Sequence, residues 1–587
     1  MNKITYILML LGIAGAASAG NQPDSTLNKE VEVIKAYQPS ISESFKIGTN
    51  PQIRDTVLYT PTFSYSIEPA TLPVEKNIQH LPVVKLGNPP REKANTGYVK
   101  AGLGYEITPY AEILINTPSS KNTNFGIHLF HYSSFPDVML NSGIKTGAPF
   151  SRNRVNVSMK NTFRKALLDW EIGYDRSGYR YYGFPGTDSL AYRSTEQDTT
   201  TLFNKKQAIN EAHALFTLSN QHDARNFVYT GSLGYNFLWN ATGQTAHHGF
   251  FDGNFLLKRD RFDGKLGALA EYFYQDSIIN YYTGNANHQF IHVQLSPQVV
   301  FEREKWSLEA GFNLGTVIDD DTTALFHISP KIRFTYRPIE GWLNLFAGSD
   351  GGFHTRQYAK AVNDNPYLNP SLEMKPGQEI IRVFGGLSGK VSRTISYIFD
   401  VDYRIYENQP FYYLSQYVFP DGHIHTDNLF QVQYDSFNQL RFGGKLRYSS
   451  QNIRIGLEAN YYTYSVTGQS PLTHLPDFDV SLEADFQITS RWSAHIDASV
   501  VGERLGELKT WNNTWNPGTG KWDPVLSGTT LQTLETIIDI NLGVDYAFSK
   551  KLHFFLFADN ILNQHFETWH GYNNRGIMIM AGAKYIF

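Results

Sequence analysis

His495 and Asp497 stand two residues apart, as do Asp400 and Asp402. An imidazole beside a carboxylate can work as a general base, and two close carboxylates can share a proton. His247 and His248 are adjacent, and imidazole is a common transition-metal ligand. Asp319-Asp320-Asp321 supplies the hard oxygens that Ca²⁺ takes. Each group also has a plainer reading. His495 with Asp497, and Asp400 with Asp402, share one strand face and balance charge on neighbouring strands. His247 and His248 point to opposite faces of a strand and cannot meet one ion. The three aspartates lack further spaced ligands and read as a solvated loop. No G-x-S-x-G, H-E-x-x-H or P-loop pattern occurs. No Cys is present, which excludes disulfides, thiolate metal sites and Cys nucleophiles. No enzyme is expected, and no cofactor or metal.

The elements that carry these residues alternate with period two, the strand period. In Arg393–Tyr406, Ile395, Tyr397, Phe399, Val401, Tyr403 and Ile405 share one face, and Asp400, Asp402 and Arg404 the other, with Ile398 as the exception. Phe478, Val480, Leu482, Ala484 and Phe486 oppose Asp479, Ser481, Glu483 and Asp485. The segments 453–464 and 538–548 repeat the pattern. Each segment has a dry face and a charged face, and no amphipathic helix of three turns follows Gly97. A closed barrel with its dry face in lipid explains this, because it leaves no strand edge and needs no second layer.

Composition agrees. Aromatics are 14%, with 36 Tyr and 39 Phe, yet mean hydropathy is only -0.35. The formal net charge of -4 argues against nucleic acid as a partner. Lys3, the apolar Ile4–Ala17 run and Ala17-Ser18-Ala19 read as a signal peptide over 1–19. Residues 20–96 carry nine prolines, from Pro23 to Pro90, and no sustained period. They read as a periplasmic or lumen-docking segment. The barrel is expected over 97–587.

Short connections are expected near 164–167, 221–226, 259–262, 302–304, 337–341, 389–393, 449–452, 488–491 and 548–551. Long loops are expected at 179–206, 352–377, 408–434, 505–534 and 562–575. Short periplasmic turns with long outer loops are the asymmetry of outer-membrane barrels. The segments number about 22, an even count that returns both ends to the periplasm. The chain stops on Phe587 inside a strand. Ile579, Ala581, Ala583, Tyr585 and Phe587 share its dry face, and this strand must pair with the first.

The C-terminal stretch "FADNILNQHFETWHGYNNRGIMIMAGAKYIF" resembles the end of a TonB-dependent receptor barrel. Asp559-Asn560 end the penultimate strand, Phe566-Glu567 sit in a loop, and Gly576 opens the last strand. The resemblance implies a Gram-negative outer-membrane barrel of about 22 strands with a plugged lumen. A terminal aromatic strand with Tyr585 and Phe587 resembles the signal read by the barrel-assembly machinery. "EVEVIKAY" at 30–37 resembles a TonB box, with Glu30, Val31, Glu32, Val33 and Ile34 pairing as an added strand. It also reads as an ordinary β-rich stretch. The sequence departs from that family in one place: 20–96 is too short for the globular plug and shows no plug motif. A plugless or mini-plug relative is implied.

Outer loops "GYRYYGF" and "WNNTWNPGTGKW" place Tyr181, Tyr182, Trp511, Trp515 and Trp522 where a sugar or protein could be met. The plainer reading packs those loops on each other. Arg441, Lys445 and Arg447 fall on the inner face of one strand and Asp479, Glu483 and Asp485 on that of the next but one, strips that either tune solute passage or dock 20–96. Two functions follow. One is solute uptake across the outer membrane, with outer-membrane lipid around the barrel and TonB or a surface lipoprotein as partner. The other is a non-transporting subunit of an assembly or export complex.

Overall fold

The computed structural model describes residues 96–587 apart from 118–121, 184–205, 221–225, 281–283, 321–323, 356–357, 371, 421, 423 and 519–520. The signal peptide and all of the 20–96 segment but Thr96, with its TonB-box-like residues, lie outside the described residues.

The chain is a closed antiparallel barrel of 22 strands. Strands run from 8 residues (Gly97–Gly104) to 24 (Ile395–Val418). Each pairs with its sequence neighbours in the wall, and the last pairs with the first. At that seam Tyr98 lies opposite Ile586, and Gly104 opposite Met580. The Phe587 carbonyl accepts from the Thr96 amide at 2.7 Å and the Thr96 hydroxyl at 2.8 Å; the Phe587 amide donates to Gly97 at 3.0 Å. The aromatic terminus thus closes the hydrogen-bond ladder, and no strand edge is left facing lipid.

Alternation decides which face meets lipid. Phe399, Val401, Tyr403, Phe326 and Ile328 are exposed on the outer face, Phe326 at 79%, whereas Asp402 is fully buried on the inner face. Ile579 and Tyr585 of the last strand point outward, and Met580 is covered inside. Among the described residues no helix is long and apolar enough to cross a membrane; the strands are the elements that can.

Eight of the nine expected short connections fall at or beside observed turns, which share one end of the barrel with both of its termini; the ninth, 221–226, lies almost wholly outside the described residues. Three boundaries differ from expectation. Residues 408–418 continue the strand Ile395–Val418 past the membrane, because they still pair, now with Gln431–Asp435 and Ile424–Thr426. Residues 505–534 form a hairpin, Arg504–Asn516 with Lys521–Leu534. Its first strand lies parallel to Leu414–Val418, making a small sheet above the membrane. The last strand opens at Met578, two residues after Gly576. Not every outer connection is long: Gly104 turns to Thr108 in three residues, with Glu106 and Ile107 at positive φ.

Candidate functional site: the closed outer mouth

The outer loops fold over the barrel mouth and share one apolar cluster. It joins Val138 and Leu140 of one loop, Tyr182 of the next, Tyr358, Ala361, Val362, Leu368, Leu372 and Met374 of the 355–376 loop, Phe430, and Tyr572. Beneath it lie inward-facing residues from the outer ends of wall strands, among them Phe273, Phe290, Val317 and Phe353. A short helix, Tyr358–Asp364, presents Tyr358, Ala361 and Val362 to this cluster. None of these loop segments is periodic enough to bury a face alone. Together they make a lid.

Tyrosines form its centre. Tyr367 and Tyr572 stack at 3.5 Å between ring centroids and 12° between planes. Tyr182 meets Tyr572 edge-on at 5.0 Å. Its hydroxyl donates to the Asn573 carbonyl at 2.8 Å and receives one from Tyr367 at 3.2 Å. Tyr572 donates to the Asn428 carbonyl. Burial pushes the Tyr181 hydroxyl up to about 12, so these phenols stay protonated donors. Arg504 donates to the carbonyls of Glu567 and Thr568 at 2.7 and 2.8 Å, tying the hairpin to the last loop. His474 packs against Trp569, ring centroids 4.7 Å apart and planes tilted by 43°. Its imidazole is held neutral, down to about 3, by burial and by the Arg504 and His570 charges.

Polar contacts moor the lid to the wall. Glu271 accepts from Thr355 at 2.8 Å and bonds His292 at 2.9 Å and His248 at 3.3 Å. Gln275 donates to the Leu372 carbonyl at 2.8 Å, and Tyr434 accepts from the Lys375 amide at 2.8 Å. Glu271 and His292 were missed in the sequence because each looks like one more inward-facing polar residue, and His248 was noticed only for its neighbour His247. Only the loop docking above them marks them out.

The inner wall is charge-matched across strands. Asp402 accepts from Arg404 at 2.8 Å, Arg441 at 2.6 Å and Arg382 at 3.2 Å. Arg441 also reaches Asp400 and Asn460. His495 bridges Asp485 at 2.8 Å and Asp497 at 2.7 Å. The two-apart pairs therefore sit in a wall network that consumes their charge. His247 packs 4.7 Å from Phe237 on the outer face while His248 turns inward to Glu271. Asp320 accepts from the Gln289 amide at 3.1 Å; Asp321 is outside the described residues. Among the described residues no His, Cys, Asp or Glu cluster has metal-site geometry.

The aromatic loop residues separate. Tyr181 and Tyr182 are 1% and 8% exposed, inside the lid, packed on other loops as the plainer of their two readings has it. Their aromatic bodies cost less packed on other loops than in water. Trp515 is 52% exposed at the hairpin tip and Trp511 is half-buried. Trp522 pairs with Trp515 by backbone register, and its side chain lies outside the described residues. Tyr585 sits on the lipid face with Phe587 at 6.5 Å.

This closed 22-strand barrel shares its fold with solved outer-membrane receptors. It is similar to the ferric-catecholate import receptor Fiu from E. coli K12, with TM-score 0.57 and 11% identity over 84% of this chain and 82% of that one. It is similar to the copper transporter OprC (TM-score 0.58, 11% identity, 85% and 81%). It is also similar to the siderophore receptor PirA from Acinetobacter baumannii (0.59, 11%, 85% and 81%). No family model matches the sequence, and no curated protein does.

Proposed function

We propose that the protein takes up a solute across the outer membrane through a lumen gated by the loop lid. The observation that carries this reading is the lid itself, an apolar cluster contributed by separate loops and moored to the wall by a few hydrogen bonds. Such a cover can open as a unit without breaking the barrel. The barrel fold shared with import receptors and a copper transporter supports a transport role. The short Pro-rich 20–96 segment is a mini-plug in this reading, and Glu30, Val31, Glu32, Val33 and Ile34 its TonB-pairing strand. Tyr585 and Phe587 are the residues read by the barrel-assembly machinery. The test is a pair of cysteines joining the lid to the wall, at Leu372 and Gln275. Oxidised, they should abolish growth on the imported nutrient, and reduction should restore it. Growth that ignores the cross-link refutes the gate.

One observation favours the second reading, a non-transporting subunit of an assembly or export complex. Val525–Thr533 is exposed throughout, bears no charged residue, and has no strand on its outer side among the described residues. Natural edges are usually guarded by charge or proline. Stoichiometric co-purification with export or assembly factors, lost when Thr530 is replaced by Pro, would establish that role. A surface lipoprotein at the same edge would instead fit uptake.

A further inference from the structure

The barrel seam brings together an inner-wall row that no single stretch of sequence contains. Arg152 lies opposite Tyr132, Tyr132 opposite Tyr110, and Tyr110 opposite Gly102. Gly102 pairs with Gly582 across the closure, Gly582 with Phe555, and Phe555 with Asp545. The two glycines are required: a Cβ at either would overlap the Phe555 ring, which lies across them. The result is an aromatic shelf. Tyr110 meets Phe555 at 6.4 Å and Tyr132 at 6.3 Å; Tyr132 meets Phe150 at 5.3 Å. A recess of about 280 Å³ opens along it, lined by Lys100, Tyr110, Tyr132, Phe555, Phe557 and Asp559 among others.

The charges at one end of this shelf are unmatched. Arg575, from the last outer loop, holds its guanidinium 4.2 Å from the Phe150 centroid, and Arg152 holds its own at 5.9 Å. Among the described residues neither has a carboxylate in ion-pair range. Arg152 makes no hydrogen bond there, and Arg575 donates only to the Ala148 carbonyl. The Nε of Arg575 is buried without a partner. Both guanidiniums act electrostatically on the Tyr132 and Tyr367 hydroxyls, placing them just under the tyrosine lid. Elsewhere on the inner wall Arg382, Arg404 and Arg441 are paired, Arg441 with both Asp400 and Asp402. Arg575 is half-buried, where a guanidinium is normally paired, while Arg152 is exposed to the lumen and open to a ligand; the fork of each suits carboxylate or phosphate oxygens.

We infer that Arg152, Arg575 and the Tyr132–Tyr110–Phe555 shelf form a binding site for a ring-bearing organic anion. Its anionic group sits between the two guanidiniums and its ring lies on the shelf. Lys100, 4.4 Å over Phe555, adds positive field at the far edge of the ring. Asp545 and Asp559 take any donor the ligand carries. The site rests on the uptake reading only in that it would hold the solute beneath the lid.

The test is saturation-transfer NMR on the full-length protein in detergent, with benzoate, benzylamine and acetate as probes. Benzoate should receive saturation strongly. Benzylamine, lacking the anion, and acetate, lacking the ring, should each show about fivefold less, the scale of one charge-assisted hydrogen bond or one aromatic contact. Arg152→Gln should cut the benzoate signal at least threefold. That side chain makes no bond the fold needs, and heat-shifted gel migration checks folding. Arg575→Lys should retain part of the signal. Equal response to benzoate and benzylamine, a benzoate signal indifferent to Arg152→Gln, or no benzoate signal at all overturns the assignment. Growth with the lid cross-linked reports on uptake independently. Binding with no dependence of growth on the lid keeps the site and removes the transport reading; the reverse pattern does the opposite.

Discussion

Replacing Tyr572 by Ala should open the lid without unfolding the barrel. Tyr572 is 1% exposed and touches Tyr367, Tyr182 and Phe430. Removing a buried aromatic side chain costs about 3–5 kcal/mol when the cavity cannot collapse. Its neighbours come from three different loops, so collapse is limited, and about 4 kcal/mol is the expected loss. At about 1.4 kcal/mol per decade, the open fraction rises roughly 10³-fold. Tyr572→Phe keeps the stack and loses only the bond to Asn428, about 1 kcal/mol or roughly fivefold. Hydrogen exchange with mass spectrometry reads this directly. The reporters are the amides of Asn369 and Phe430, which bond Phe430 and Tyr367 across loops at 3.0 and 2.9 Å, and Asn574, which bonds Phe566 at 2.8 Å. They should exchange faster in the order wild type, Phe, Ala, while amides of the wall strands keep their protection. Unchanged lid amides in Tyr572→Ala would show that the tyrosine cluster does not hold the lid. Wall strands that loosen equally would show that lid and barrel are one cooperative unit.

Other outcomes follow from single sites. His474 is held neutral in the closed lid, so the open state binds more protons between about pH 6.5 and 3. Lid stability is therefore full above pH 6.5 and falls with acidification, and the protection of lid amides relative to their intrinsic exchange rates should be lower at pH 5 than at pH 7; His474→Gln should remove that difference. Asp427, pushed up to about 6 by burial, acts in the opposite sense, so Asp427→Asn should steepen the acid loosening over pH 4–6. Gly582→Val places a side chain against the Ala101 carbonyl and the Phe555 ring and should leave no heat-shifted folded band on a gel; Gly456→Ala, with open space around its Cβ position, should fold normally. Asp402→Asn leaves Arg382, Arg404 and Arg441 short of one carboxylate and should lower stability to urea by about 3 kcal/mol.

The sequence by itself determined the barrel wall. Period-two alternation is a local property, and lipid outside with polar lumen inside writes it into every strand. Thus Phe399, Val401 and Tyr403 could be placed outward and Asp400, Asp402 and Arg404 inward before any fold was known. The closing role of Phe587 was legible for the same reason, since a barrel cannot end on a free strand. Short turns were legible because alternation stops at them. The outer half was not. Residues 408–418 and 505–534 lie beyond the lipid, where a strand may carry polar residues on both faces, so the alternation that marks a strand is gone although pairing continues.

The lid and the seam site depended on tertiary structure alone. Tyr182, Tyr367, Phe430 and Tyr572 come from four separate places in the chain and bury each other only because the barrel brings its loops to one rim. Read singly, Tyr181 and Tyr182 fitted either an outer contact or loops packed on each other, and chain order does not say which loops meet; Tyr367, Phe430 and Tyr572 carried no signal at all. Arg152 and Phe555 are neighbours in one row only because strand register carries that row across the closure through Gly102 and Gly582. Alternation assigns a residue to a face but says nothing about its height on the barrel. Height is set by cumulative register around the ring, and it leaves Arg152 and Arg575 without carboxylates while Arg441 has two.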